Sequence, residues 1–167
     1  MTTPTLIAKT TARFDEIQQL IARIANPGRG NQRKIADAGR QGFQENITTE
    51  GAASGSPWPA LKESTVAERR QRGFAGEHPI LKRTGHYTRT FTNPSSPQHI
   101  EKISSGSDGM EIEVGSEMAR WIHERGGDTR FGYVAQRSIL GLGDRGEQRI
   151  ASTIEFIVDQ LERQVFK

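Results

Sequence analysis

The chain has no cysteine. Disulfides, thiolate nucleophiles and cysteine-based zinc or iron–sulfur sites are therefore excluded, and the absence fits a reducing compartment. Aromatic residues make up only 7% and apolar residues 33% of the 167 positions. A chain this short and this polar has a thin core, so part of its apolar surface is expected to need a partner. Long hydrophobic runs are also missing; a typical one is Phe156-Ile157-Val158. No transmembrane helix and no membrane partner are expected. The start, Met1 to Lys9, lacks the charged opening and apolar stretch of a signal peptide. Nor is there a large excess of one charge: 23 Lys and Arg against 20 Asp and Glu leave a net +3. That is too little to argue for strong nucleic-acid binding, despite an isoelectric point near 9.5. Composition alone points to a soluble intracellular protein that assembles.

The charge that is present is unevenly placed. Residues 1–50 carry a net +2, residues 51–90 a net +4 and residues 91–167 a net −3. Such asymmetry suits contacts between copies of the chain, and chance scatter gives the same pattern. The length suits a single domain over 1–167, with 1–50 as a helical arm or hairpin.

Apolar periodicity marks the elements. Phe14, Ile17, Leu20, Ile21 and Ile24 form one stripe of a helix over 11–25, stopped by Asn26-Pro27-Gly28. A second helix over 31–47 carries Ile35, Ala38, Gly39, Gly42, Phe43 and Ile47, its small residues inviting another backbone close. Residues 48–60 read as a loop that lowers Trp58 onto a neighbouring surface. Ser64 or Thr65 is expected to cap a short basic helix to Arg72, with Glu68 completing a capping box, and Thr84 to cap another through Phe91. Met110, Ile112 and Val114 alternate with Glu111 and Glu113 after an Asp-Gly turn, predicting a β-hairpin over 98–115 with one face on the core. A short helix is expected over 117–124 and a weak strand over 134–140. The final helix, over 144–164, takes Asp144 as cap and Ile150, Ile154, Ile157, Val158, Leu161 and Val165 as its stripe. The fold class is α+β: a small antiparallel sheet, an N-terminal helical hairpin and a long C-terminal helix.

No catalytic constellation emerges from these positions. The four histidines lack the spacing that sets two imidazoles on one metal, so neither a metal nor another cofactor is expected. His123 and Glu124 are adjacent, and adjacent helical side chains diverge, which favours a packed or interface histidine. Gly141-Leu142-Gly143-Asp144-Arg145-Gly146 matches a dinucleotide-binding pattern superficially. The chain ends without the second strand of that unit, and Asp144 would oppose phosphate, so a plain turn into the last helix is preferred. Arg69, Arg70, Arg72, Lys82 and Arg83 make a basic stretch over 69–83. It reads as a solvated face, a subunit contact or a phosphate-backbone contact. Arg137, beside Ile139-Leu140, is placed to bind carboxylates of the acidic strand face or of the next subunit.

Four blocks stand in order: Gly55 to Thr65, with Trp58 and Leu61; Ile80-Leu81-Lys82-Arg83-Thr84-Gly85; Val114-Gly115-Ser116 followed by Ala119 and Trp121 to Gly127; and Arg137 to Leu142. Together they resemble the virion morphogenesis, or tail-completion, family of contractile-tailed bacteriophages. The resemblance spans about residues 35–165. It departs at Trp121-Ile122, Glu124 and Ser138-Ile139, which leaves the subtype open. It implies a non-enzymatic virion protein of the phage neck that completes the tail and supports head–tail joining as a homo-oligomeric ring, a hexamer, with other neck and tail proteins as partners. The alternative is a DNA-contacting accessory module using the basic stretch, with the ring lumen as the place of contact. The interface candidates are Trp58, Leu61, Arg69, Arg70, Arg72, Trp121, His123 and Arg137.

Overall fold

The computed structural model describes residues 4–82, 84–106, 109–120, 126–129 and 132–166. Five helices account for most of them. Helices α1 (Pro4–Ala25) and α2 (Arg29–Thr48) make up the N-terminal region, each longer than its apolar stripe, but they do not pack along each other as the expected hairpin; each lies against the last helix of the chain instead. Gly28, at φ +80°, makes the turn between them. Two short helices follow, α3 (Glu63–Gln71) and α4 (His86–Thr92), and the chain closes with α5 (Gly143–Val165).

The expected caps differ. Lys62 occupies the cap position of α3 and makes no side-chain capping bond. Ser64 and Thr65 lie inside the first turn, so the Thr65–Glu68 box does not form. At α4 the cap position belongs to Gly85, and Thr84 Oγ1 only accepts a long bond, 3.4 Å, from the His86 N–H. At α5 it belongs to Leu142. Asp144 is the second residue of the helix, within the first turn, where its carboxylate still faces the positive end of the helix dipole.

The β-hairpin forms as the alternation predicts. Strands β1 (His99–Gly106) and β2 (Gly109–Ser116) pair antiparallel, with Ile103 opposite Ile112 and Glu101 opposite Val114. Ile112 and Val114 turn inward, half-buried, while Glu111 and Glu113 stay exposed, Glu113 accepting from Lys102 Nζ at 2.8 Å. A 3-10 turn (Glu117–Arg120) stands where the helix over 117–124 was expected, and residues 121–125 lie outside the described set. A second small hairpin joins β3 (Gly127–Thr129) to β4 (Gly132–Val134). Of the strand expected over 134–140, only Val134 is strand; the rest is an irregular strap. The carbonyls of Ser138 and Ile139 are taken by side chains, which displaces strand pairing there.

The architecture is α+β, and α2 is its central element. The core joins Phe43 and Ile47 of α2 to Trp58, Ile80, Phe91 and Ile139. Phe91 meets both Phe43 and Tyr87 edge-on, with ring centroids 6.4 and 5.2 Å apart. Of the small residues of α2, Gly42 meets the entry to α5, where a Cβ would lie 2.6 Å from the Leu142 side chain and 3.7 Å from Gly146 Cα, whereas nothing lies within 4 Å of a Cβ on Gly39. The apolar face of α2 is therefore covered from within. On α1, which also touches α5, Leu20 is half-buried, while Ile17, Ile21 and Ile24 remain 47, 60 and 40% exposed.

Candidate functional site

Each of the four sequence blocks supplies apolar side chains to one place. Trp58 and Leu61 come from the first, Ile80 and Leu81 from the second, Val114 and Ala119 from the third, and Ile139 and Leu142 from the fourth. Polar bonds then tie the blocks together. The Trp58 indole N–H donates to the Ser138 carbonyl at 3.0 Å, across 80 residues of sequence. Asn46, fully buried in α2, donates to the carbonyls of Ser138 and Ile139 at 3.0 and 3.2 Å. The Arg137 guanidinium, 7% exposed, donates twice to the Pro59 carbonyl and once to that of Ala60, at 2.9–3.1 Å. Burial lowers its pKa from the ordinary arginine value, and it stays charged at neutral pH. Arg137 thus binds backbone carbonyls of the Trp58 loop, not the carboxylates expected for it. Prolines on both sides of Trp58 hold that loop close enough for the guanidinium to bridge it.

Backbone conformation makes room for this latch. After α2 the chain turns at Gly51, φ +89°, where a Cβ would lie 2.5 Å from the Trp58 ring and 2.3 Å from the Ser56 carbonyl. Glu50 holds the next loop in place. Its carboxylate accepts from the Ile80 N–H and contacts His78 Nδ1, both at 2.7 Å. The superficial nucleotide-binding pattern has a packing role. A Cβ on Gly143, φ +60°, would sit 2.5 Å from the Ala53 carbonyl, so this glycine seats the 3-10 turn (Ala52–Ser54) against the start of α5.

The remaining candidates separate. Arg69 is buried and donates to the Pro79 carbonyl at 3.0 Å. Arg70 pairs with Glu77 at 3.2 Å and Arg72 with Glu68 at 2.9 Å, all four side chains being exposed. Arg69, Arg70 and Arg72 are thus engaged within the chain, while Arg83 lies outside the described residues. Trp121 and His123 lie outside the described residues.

Two features were not legible as sites in the sequence. Arg40 of α2, buried, pairs with Asp37 and with Glu101 on the inner face of β1. Beside it, the His99 ring donates from Nδ1 to the Thr90 carbonyl at 2.9 Å, and Ser116 Oγ donates to Thr90 Oγ1 at 2.6 Å. The sequence hint was Glu101 in the inward register of the strand. The other feature is apolar exposure on α5, where Ile154 and Phe156 stand 42 and 54% open. Clefts of about 440, 470 and 730 Å³ are open to solvent; the first two are lined by somewhat more apolar than polar surface, and the third is mainly polar. No cluster of potential metal ligands occurs among the described residues, and no described helix is long and apolar enough to cross a membrane.

No curated protein and no solved structure matches the chain. The model of one protein family does, over residues 9–159, a span that takes in all four blocks, α2, the sheet and most of α5. The blocks that close the core around Trp58 are thus those of a phage assembly protein, and the chain belongs to the phage virion morphogenesis family.

Proposed function

We propose that this chain is a structural protein of the phage neck that completes the tail and supports head–tail joining as a homo-oligomeric ring of six copies. In this reading it resides in the virion, reaches it from the host cytoplasm, and contacts other neck and tail proteins above and below. It acts through surfaces and not through chemistry. The observation that carries the reading is the row Ile17, Ile21 and Ile24, exposed on α1 in a chain of this family. An uncovered apolar stripe on a folded domain marks an association surface. A ring needs a heterologous contact, one face of a subunit on a different face of the next. The DNA-contacting alternative loses support because Arg69, Arg70 and Arg72 already have partners.

The test has two parts. Native mass spectrometry of the purified full-length protein should give a six-fold mass. A phage deprived of this chain should accumulate separate heads and tails, rejoined when the chain is supplied. A wild-type protein that stays monomeric at tens of micromolar and joins nothing would overturn the proposal.

A further inference from the structure

We infer that the acidic outer face of α5 in one copy docks into the basic groove between α2 and β1 of the next; this rests on the proposed self-assembly of the chain. The groove, about 730 Å³, is open and polar. Arg29 and Arg33 line it, both exposed and without an ion-pair partner among the described residues. Lys102 adds a third cation, shared with Glu113. The carboxylate in the groove wall, Glu101, shares Arg40 with Asp37, so that cluster keeps one negative charge against the two positive charges of Arg29 and Arg33. The groove therefore presents uncompensated positive charge.

Its complement is on α5. Glu155, Asp159 and Glu162 fall at i, i+4 and i+7, all exposed and all without an ion-pair partner among the described residues. They occupy the side of the helix opposite the buried Ile157 and Leu161. Arg29 and Arg33 are also one helical turn apart, about 6 Å of rise, so two arginines and two carboxylates match in spacing.

Within one chain, α2 meets α5 through other residues. Lys34 of α2 reaches over the Phe156 ring of α5, 5.8 Å from its centroid, on one side of α2. Arg29 and Arg33 line the groove on the β1 side, where Gln32 bonds Ser105 at 2.8 Å. No ion pair joins the two charged faces within one chain among the described residues, which leaves both available for a head-to-tail contact. Each has exposed apolar surface next to it, Ile24 before the groove and Phe156 beside the carboxylates. Apolar groups can form the dry centre of such a contact while the charges set its register and its rate of formation.

The experiment is a charge swap in the full-length chain, read by sedimentation and native mass. One variant carries Arg29→Glu and Arg33→Glu, the other Asp159→Arg and Glu162→Arg. All four positions are exposed, and an unchanged melting temperature confirms folding. Each variant alone should assemble at least tenfold more weakly than wild type. Mixed one to one, the variants should recover assembly with strictly alternating copies, since each acidic face then meets a basic one. Variants that assemble like wild type, or a mixture that fails to recover, would overturn this contact while leaving self-assembly standing. A wild-type chain that never assembles would overturn both.

Discussion

Trp58 and Arg137 hold the Trp58 loop against the strap before α5, and their replacement separates packing from hydrogen bonding. Trp58→Ala removes a side chain 8% exposed and should cost about 3–5 kcal/mol in chemical denaturation. Trp58→Phe should cost far less, because the Ser138 carbonyl keeps the Asn46 bond when the indole donor is gone. Arg137→Met strands the Pro59 and Ala60 carbonyls and should cost about 1.5–3 kcal/mol. If stability is unchanged and only assembly falls, Arg137 has an interface role after all. Its lowered pKa leaves no signature near neutrality. The folded state disfavours the charged form, that cost is relieved only as pH rises through the folded pKa, and an arginine stays protonated well above neutral pH. At Gly143, alanine would have to adopt φ +60°, costing about 1–2 kcal/mol before its collision with the Ala53 carbonyl is counted. A Gly143→Ala melting curve coincident with wild type would refute that packing.

Among the elements, α1 and α5 differ in what their apolar faces meet. On α5, Ile157 and Leu161 are buried, so Ile157→Ala should lower stability by about 2–5 kcal/mol. On α1, Ile21 is 60% exposed. Ile21→Glu should change monomer stability by no more than about 0.5 kcal/mol while weakening assembly. The contrast is read by denaturation beside sedimentation on the same samples. Destabilisation by Ile21→Glu comparable to Ile157→Ala would mean that α1 is part of the core. Removing residues 1–25 should likewise leave a folded chain that assembles poorly, since α2 begins only at Arg29.

For the whole molecule, the net charge of +3 is small and the arginines at 69, 70 and 72 are engaged. Affinity for duplex DNA at physiological salt should therefore be no tighter than the nonspecific range, a Kd of about 10⁻⁴–10⁻⁶ M. Fluorescence anisotropy across a salt series checks this. Submicromolar binding that falls steeply with salt and is lost in Arg70→Glu/Arg72→Glu would restore the DNA-contacting reading.

Local pattern was enough to determine the α+β class, the hairpin of β1 and β2 and the long last helix, because period 2 and period 3.6 are properties of neighbouring residues. It also pointed to Trp58, a large side chain pinned between prolines. Helix starts were less legible. Lys62, Gly85 and Leu142 stand where hydroxyl or carboxylate caps were expected, because loop packing set the entry of those helices. What covers each apolar face, and what each arginine binds, was decided by tertiary structure alone. The partners of Arg137 are 77 and 78 residues away, and those of Asn46 are 92 and 93. No periodicity encodes a bond between a side chain and the carbonyl of a distant irregular segment. For the same reason the stripes of α1 and α2 look alike in sequence, yet that of α2 is buried while Ile17, Ile21 and Ile24 of α1 stay exposed. The packing of α4, β2, α5 and the Trp58 loop onto α2 distinguishes them.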